Sequence, residues 1–286
     1  MDRRGRRRRR LPVGGARHGD DRRAAGRAGV LTGLTVLLPP SETKREGGDT
    51  SRTLDLRALS FPELAEERAA GLTAARSVSS EESSARTALK LGPKSIAERF
   101  RNLELDTSGT MPAIERYTGV LYDPLGAQTA DASTRAWWHD HVVVQSAMFG
   151  PIGAGDPIPA YRLSHDSRLG TIRLASHWPA TSSRVLADRA DGLVLDLRSE
   201  GYRQLGPVLD AVAPRIVSID GSGRRRALNH WNKTAKGRLV ALLARTGAVV
   251  ATMDDLVDWA AANGVVVERS ESGWDLVAES LEPVTV

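Results

Sequence analysis

The clearest apolar run in the chain is 34–38, where β-branched Thr35 and Val36 sit among leucines and two prolines follow. A run that short, apolar at both parities, predicts a strand buried on both faces. Pro39 and Pro40 end it, because neither can donate to a ladder and each restricts its predecessor. Ser41, Glu42, Thr43, Lys44, Arg45 and Glu46 come next, before Gly47 and Gly48. The strand thus delivers six polar side chains to one sheet edge, where open sheets hold ligands. A solvated loop fits the same residues. The run 192–197 repeats the arrangement, with Asp196, Arg198, Ser199 and Glu200 at its end.

The rest of the pattern is taken in order. Residues 60–76 read as a helix with Ser60 as N-cap and Pro62 near its first turn. Residues 77–84 are a Ser/Glu-rich break or second cap. Residues 85–105 read as helix, a tight turn at Leu91-Gly92-Pro93, and helix to Leu103. A helix is expected over 112–122, carrying Glu115, Arg116 and Tyr117 and broken by Gly119. A longer one is expected over 131–149, with Trp137, Val144 and Met148 among its apolar side chains. The Gly/Pro-rich stretch 150–159 reads as a loop. It feeds a short strand over 160–164, with Tyr161 and Arg162 on opposite faces. Residues 174–190 are helical in their later half. Strands at 215–220 and 226–231 form a hairpin around Gly221-Ser222-Gly223, whose glycines serve a turn rather than a phosphate loop. A helix over 232–245 has Asn232 as N-cap and Leu239, Leu242 and Leu243 on one face. A helix at 253–262 and strands at 265–269 and 274–277 close the chain. This order predicts a mixed α/β (α+β) fold: one domain over 30–286, with a mixed sheet, inserted helices and a candidate helix-hairpin-helix, not an alternating doubly wound sheet.

Composition changes that picture at the N-terminus. Residues 1–29 hold eleven arginines and three aspartates, while the remainder carries 29 basic and 32 acidic residues. The basic pI belongs to this Arg/Gly-rich segment, which lacks the large apolar side chains needed to fold and is expected to be a disordered tail or a mis-called start. The charged loop after 38 argues against a signal peptide. A globally basic nucleic-acid-binding body is not indicated, so any such surface would be local. The chain has no cysteine, which removes disulfides, zinc thiolates and cysteine-ligated iron–sulfur clusters. No P-loop, GxGxxG, HExxH, GxSxG or CxxC pattern occurs.

Candidate chemistry lies in two clusters and a hairpin. Lys233 and Lys236 crowd the first turns of the 232–245 helix, where the dipole disfavours cations, so an anionic partner is one reading and a solvated helix start the other. Gly92, Lys94 and Ser95 sit where a hairpin and a helix N-terminus hold phosphate, though Lys90 replaces the usual first hairpin glycine; a structural αα-hairpin fits too. His139 and His141 are two residues apart on a helix and cannot share one ion, so no metal is assigned.

The blocks LLPPSETKREGG, ERYTGVLYD, PAYRLS, VLDLRSEGY and HWNKTAKGRL occur in that order and together resemble the YaaA-type (UPF0246-like) peroxide-stress family over roughly 34–250. Trp231 stands where that family usually has phenylalanine, and the family usually begins almost at the first block. The resemblance implies a cytoplasmic protein that limits peroxide damage, is associated with lower free iron, and binds duplex or structured DNA through a basic cleft and a helix-hairpin-helix. Lys90, Lys94 and Arg99 would then serve the hairpin, and Ser41, Lys44, Arg45, Arg116, Arg162, Arg198, Asn232, Lys233, Lys236 and Arg238 the cleft. The alternative is an enzyme on a phosphorylated or other anionic small molecule, with Glu42 or Asp196 as acid/base, Lys44 and Lys233 as the anion clamp and Arg116 or Tyr117 orienting. Structural ion pairs at both clusters are the third reading. No cofactor and no membrane association are expected, and a monomer is.

Overall fold

Two four-stranded sheets organise the computed structural model, which describes residues 31–219, 224–227 and 232–281. In the first sheet β1 (Leu31–Leu38) lies between β2 (Val142–Ser146) and β4 (Ala190–Asp196), parallel to both. β3 (Gly150–Gly153) pairs antiparallel with the outer side of β2. The register sets Leu38 opposite Val144 and Leu37 opposite Asp196, so the three parallel strands end nearly together.

Leu34, Val36 and Leu38 are fully buried in the larger core, whereas Leu37 packs with Val143, Val194, Phe61, Leu64, Val185 and Leu186. The two parities of a strand face opposite sides, so a layer covers each face of the sheet. α4 (Ala132–His141) and α6 (Asn232–Arg245) supply Trp138, Leu239 and Leu243 to the larger core. α5 (Pro179–Arg189) covers the other side with Val185 and Leu186. Each such side chain contributes about 1.5–3 kcal/mol by leaving water.

The second sheet runs β6 (Arg225–Ala227), β5 (Arg215–Ile219), β8 (Gly273–Val277), β7 (Val267–Ser270), with β5 and β8 parallel and both outer pairs antiparallel. α7 (Met253–Ala262) precedes β7 and opens on a capping box between Thr252 and Asp255, which satisfies helix N–H groups that otherwise lack partners. The fold is mixed α/β, as expected.

Several expectations need correction. The helix over 131–149 stops at His141, and the next five residues are the fully buried β2. Three consecutive valines lose rotamer freedom in a helix and here gain β1 as a parallel neighbour. The loop over 150–159 contains β3, and Pro157–Ile158 forms a two-residue ribbon with Met111–Pro112. Only one helical turn, Ala113–Arg116, forms within 112–122, and Tyr117 is extended. Ser60 caps no helix: its N–H and hydroxyl donate to the Asp156 carboxylate at 2.9 and 2.8 Å, and α1 (Ala65–Ser80) follows a 3-10 turn over Pro62–Leu64. The stretch 160–164 is assigned to no strand, although Tyr161 is buried there. α2 (Glu82–Ala88), a 3-10 turn (Ile96–Glu98) and α3 (Arg99–Leu103) occupy the 85–105 segment. The glycine turn of the 215–231 hairpin and residues 1–29 lie outside the described residues.

Candidate functional site

At the carboxyl edge of β1, β2 and β4 the loops after each strand lie side by side, and the sequence blocks assemble there. Pro39 and Pro40 lead the chain out of β1. The Ser41 hydroxyl accepts the Thr43 N–H at 3.3 Å, a local turn of the kind short hydroxyl side chains stabilise. Thr118 N–H then donates to the Thr43 carbonyl at 3.2 Å and Arg45 N–H to the Arg116 carbonyl at 2.9 Å. Lys44 and Tyr117 are therefore directly opposed in a one-rung antiparallel bridge, and directly opposed side chains leave on the same face.

Lys44 is 6% exposed. Its Nζ donates to the Ser41 carbonyl at 2.8 Å and the Glu42 carbonyl at 3.2 Å, and lies 4.2 Å from the Tyr161 ring centre and 5.6 Å from that of Tyr117. Among the described residues it makes no ion pair. Burial, reinforced by the charges of Arg162 and Arg101 and opposed by Glu98 and Glu42, pulls its pKa down to about 7.

A hydroxyl chain lies beside the amine. The Tyr117 and Tyr161 hydroxyls are 2.8 Å apart, and Tyr161 is 2.8 Å from Ser146 Oγ at the end of β2. Ser146 Oγ accepts the N–H groups of Met148 and Phe149 at 3.0 and 3.1 Å. Tyr122 donates to the Pro39 carbonyl at 2.8 Å. Burial raises the phenol pKa of Tyr117, Tyr122 and Tyr161 well above its usual value, so all three stay protonated. Tyr202, packed edge-on against His165 at 5.0 Å, is pushed up to about 12 by burial.

Arg162 reaches Glu98 at 3.0 Å and the exposed Glu42 at 3.3 Å. Its backbone is held by Asn102, whose Oδ1 accepts the Arg162 N–H and whose Nδ2 donates to the Arg162 carbonyl, each at 2.8 Å. At the end of β4, Asp196 and Arg198 form a buried bidentate pair, 2.9 and 2.7 Å, and Arg198 also donates to the Gly206 carbonyl at 2.9 Å. Lys236 on α6 faces this group: burial, offset by Asp196 and reinforced by Arg203 and Lys233, lowers its pKa to about 8. α6 also packs tightly on the 119–125 turn, which residue 237 being glycine allows; a Cβ there would stand 2.1 Å from the Leu121 carbonyl.

The expected site residues therefore divide. Glu42, Lys44 and Tyr117 share the first loop's surroundings, while Asp196 and Lys236 share the end of β4 with Arg203, which the sequence did not single out. Lys233 is exposed, and Lys236 one turn on is the lysine turned inward. Arg116 is fully buried with its guanidinium on the carbonyls of Ile158, Arg45, Gly47 and Gly109; burial lowers its pKa to about 10, so it stays charged. Arg116 and Arg198 are thus internal ties of the loops rather than free cations. Arg45 lines a cavity of about 340 Å³ with Tyr117, Tyr122 and Gln128. Among the described residues, no hydrogen-bond donor meets the buried Oδ1 of Asn232. Arg238 is half-buried on α6. In the hairpin, Lys90 pairs with Asp166 and Arg99 donates to the carbonyls of Ser79 and Ser80 at 2.8 and 3.0 Å. Ser95 Oγ closes its own turn onto Gly92, and Lys94 is exposed. Residues 230–231 of the last block lie outside the described residues.

Sequence reasoning missed Tyr161, Ser146, Tyr202 and Arg68. Tyr161 and Ser146 follow or precede buried runs and read as core. Arg68 is buried against the carbonyls of Phe149, Ser60 and Pro151, and nothing in its helical context separates it from a surface arginine. Among the described residues no group of three or more His, Cys, Asp or Glu could hold a metal ion. His141 bonds the Leu34 carbonyl at 2.8 Å and packs on Trp137, and His139 is exposed. No described helix is long and apolar enough to cross a membrane.

A mixed sheet with polar loops gathered at one carboxyl edge defines an α/β protein with a candidate site at the edge of its sheet. A family model described as "Peroxide stress protein YaaA" matches residues 34–268. A UPF0246 protein of Corynebacterium efficiens is 39% identical over 83% of this chain and 96% of its own length. A UPF0246 protein of Streptomyces coelicolor is 37% identical over 79% and 88% respectively. The chain belongs to the YaaA/UPF0246 family.

Proposed function

We propose that this protein serves in defence against peroxide stress and that its working part is the sheet-edge site, acting as an enzyme site on a small anionic molecule. Family membership supports the first half. The observation that carries the second is Lys44: a buried lysine, in no ion pair among the described residues, just beyond the carboxyl end of a central parallel strand. Such a group is costly to bury and is retained where its chemistry is used. Lys236, Lys233 and Arg203 crowd the end of β4, where Asp196 is already neutralised by Arg198 and Arg203 is paired with Glu200. That leaves net positive charge for an anionic ligand. Limiting iron-driven DNA damage would be the physiological outcome.

Peroxide survival of a strain lacking the gene tests this. Wild type should restore survival. Lys44→Arg, which keeps the charge, should fold and fail to restore it. Full rescue by Lys44→Arg would overturn the assignment.

DNA binding is the second reading, favoured by exposed Lys94 at the tip of the 89–95 turn. Because Lys90 and Arg99 are engaged internally, contact there would fall mainly to Lys94, and duplex binding with and without it is the test.

A further inference from the structure

Of the 40 lysine and arginine residues, only Lys44, Lys90, Lys94, Lys233 and Lys236 are lysines. Arginine serves almost everywhere this chain needs a cation. At position 44 it would supply the same charge and more donors, but it could not give up its proton. The position keeps an amine instead. The surroundings suit an amine that is neutral part of the time: two carbonyls accept its N–H bonds, tyrosine rings wall it, and among the described residues no ion pair holds its charge. Burial also pulls its pKa down toward neutrality, which favours the free lone pair on Nζ, the form that attacks carbonyl carbon.

We propose that Lys44 is an amine nucleophile and that the molecule taken at this sheet edge is an aldehyde bearing an anionic group, held as an imine on Nζ. This rests on the reading of the edge as a ligand site. In the step, the Nζ lone pair bonds to the aldehyde carbon, the C=O pair moves to oxygen, and a proton passes from nitrogen to that oxygen. The resulting carbinolamine loses the oxygen as water together with the second N–H proton, leaving C=N. No oxidant or reductant is consumed. The phenols of Tyr117 and Tyr161, kept protonated by burial, add no anion of their own beside the amine. Oxidation of alcohols and unsaturated chains produces aldehydes, so the class of reaction that supplies this substrate is an oxidative one.

The test uses the full chain, glyoxylate as the smallest carboxylate-bearing aldehyde, and cyanoborohydride to reduce any imine to a stable carboxymethyl-lysine. Peptide mass mapping at neutral pH compares the five lysines, with exposed Lys94 as the ordinary amine. Lys44 should be labelled at least about tenfold faster than Lys94, as expected for an amine whose neutral fraction is raised by a lowered pKa. Lys44→Arg should keep the native circular dichroism and lose the dominant adduct. Lys44 labelled more slowly than Lys94 in the folded protein, and reactive only after denaturation, would overturn the imine. Labelling by acetaldehyde but not by glyoxylate would overturn the anionic part. If Lys44 stays unlabelled while Lys44→Arg still fails to protect cells, the imine falls and the ligand-site reading stands.

Discussion

The amine of Lys44 stands 4.2 Å from the centre of the Tyr161 ring, whose hydroxyl is fixed in turn by Tyr117 and Ser146. Residues far apart in the chain therefore define one electrostatic environment, in which a cation is attracted by the ring face but loses its hydration. Loss of hydration dominates, since the net shift is downward.

The sign of that shift predicts how stability varies with pH. Folded Lys44 releases its proton near pH 7, whereas an unfolded lysine holds it to about 10.4. Between those values the unfolded chain binds more protons, so stability from this group rises with pH by about 1.4 kcal/mol per unit. Below about 7 its contribution is flat. Lys236, lowered to about 8, acts in the same direction over a narrower window. Urea denaturation between pH 7 and 9 should show Lys44→Met losing about one proton's worth of slope relative to wild type. An equal slope would mean that Lys44 stays protonated when folded.

Arg116 ties the Lys44 loop to the body. Arg116→Met would strip donors from the carbonyls of Ile158, Arg45, Gly47 and Gly109. Each buried acceptor left unmet costs about 1–3 kcal/mol, so a loss of at least about 3 kcal/mol is expected. Amide exchange should quicken first in residues 44–48. A loss below about 1 kcal/mol would show that the loop is held by other contacts.

Gly237 sets how closely α6 approaches the 119–125 turn. An added Cβ would stand 2.1 Å from the Leu121 carbonyl, so Gly237→Ala must move backbone, at a cost of at least about 2 kcal/mol despite the better helix propensity of alanine. Lys233→Ala on the exposed side of the same helix should stay within about 0.5 kcal/mol of wild type. Melting curves of the two variants decide it: equal stability would mean that α6 slides freely.

The hairpin variants should separate stability from DNA contact. Arg99→Ala should lower the melting temperature, because it removes donors from the last carbonyls of α1. Lys94→Ala should leave folding unchanged and flatten the salt dependence of duplex binding by up to about 0.9 log unit per lost phosphate contact. An unchanged salt slope for Lys94→Ala would remove the hairpin from the DNA reading.

Strands such as β1 and β4 are legible in the sequence because a short apolar run with a proline or charged boundary has few other uses. β2 is not, since Val142–Ser146 continues directly from a helix with no turn residue between them. Only pairing with β1, more than a hundred residues earlier, decides the state of those valines. Lys44, Glu42 and Asp196 stand out as polar groups after buried strands, whereas the hydroxyls of Tyr161 and Ser146 read as core until their bonds are seen. Lys233 and Lys236 differ by less than one helical turn, and only the placement of α6 settles which lysine faces inward.

The register that joins Leu34 to Leu193 also governs how the molecule comes into being. More than half of the chain's length separates these neighbours, and closing so long a loop before any ladder forms makes the first sheet slow to assemble. On the ribosome β1 emerges early, apolar on both faces and without β4, an aggregation-exposed state while synthesis proceeds. α6, which brings Lys236 to the end of β4, appears later still. A nascent chain therefore has no complete site until most of it has been made, and its yield in cells will depend on what shields that first strand in the meantime.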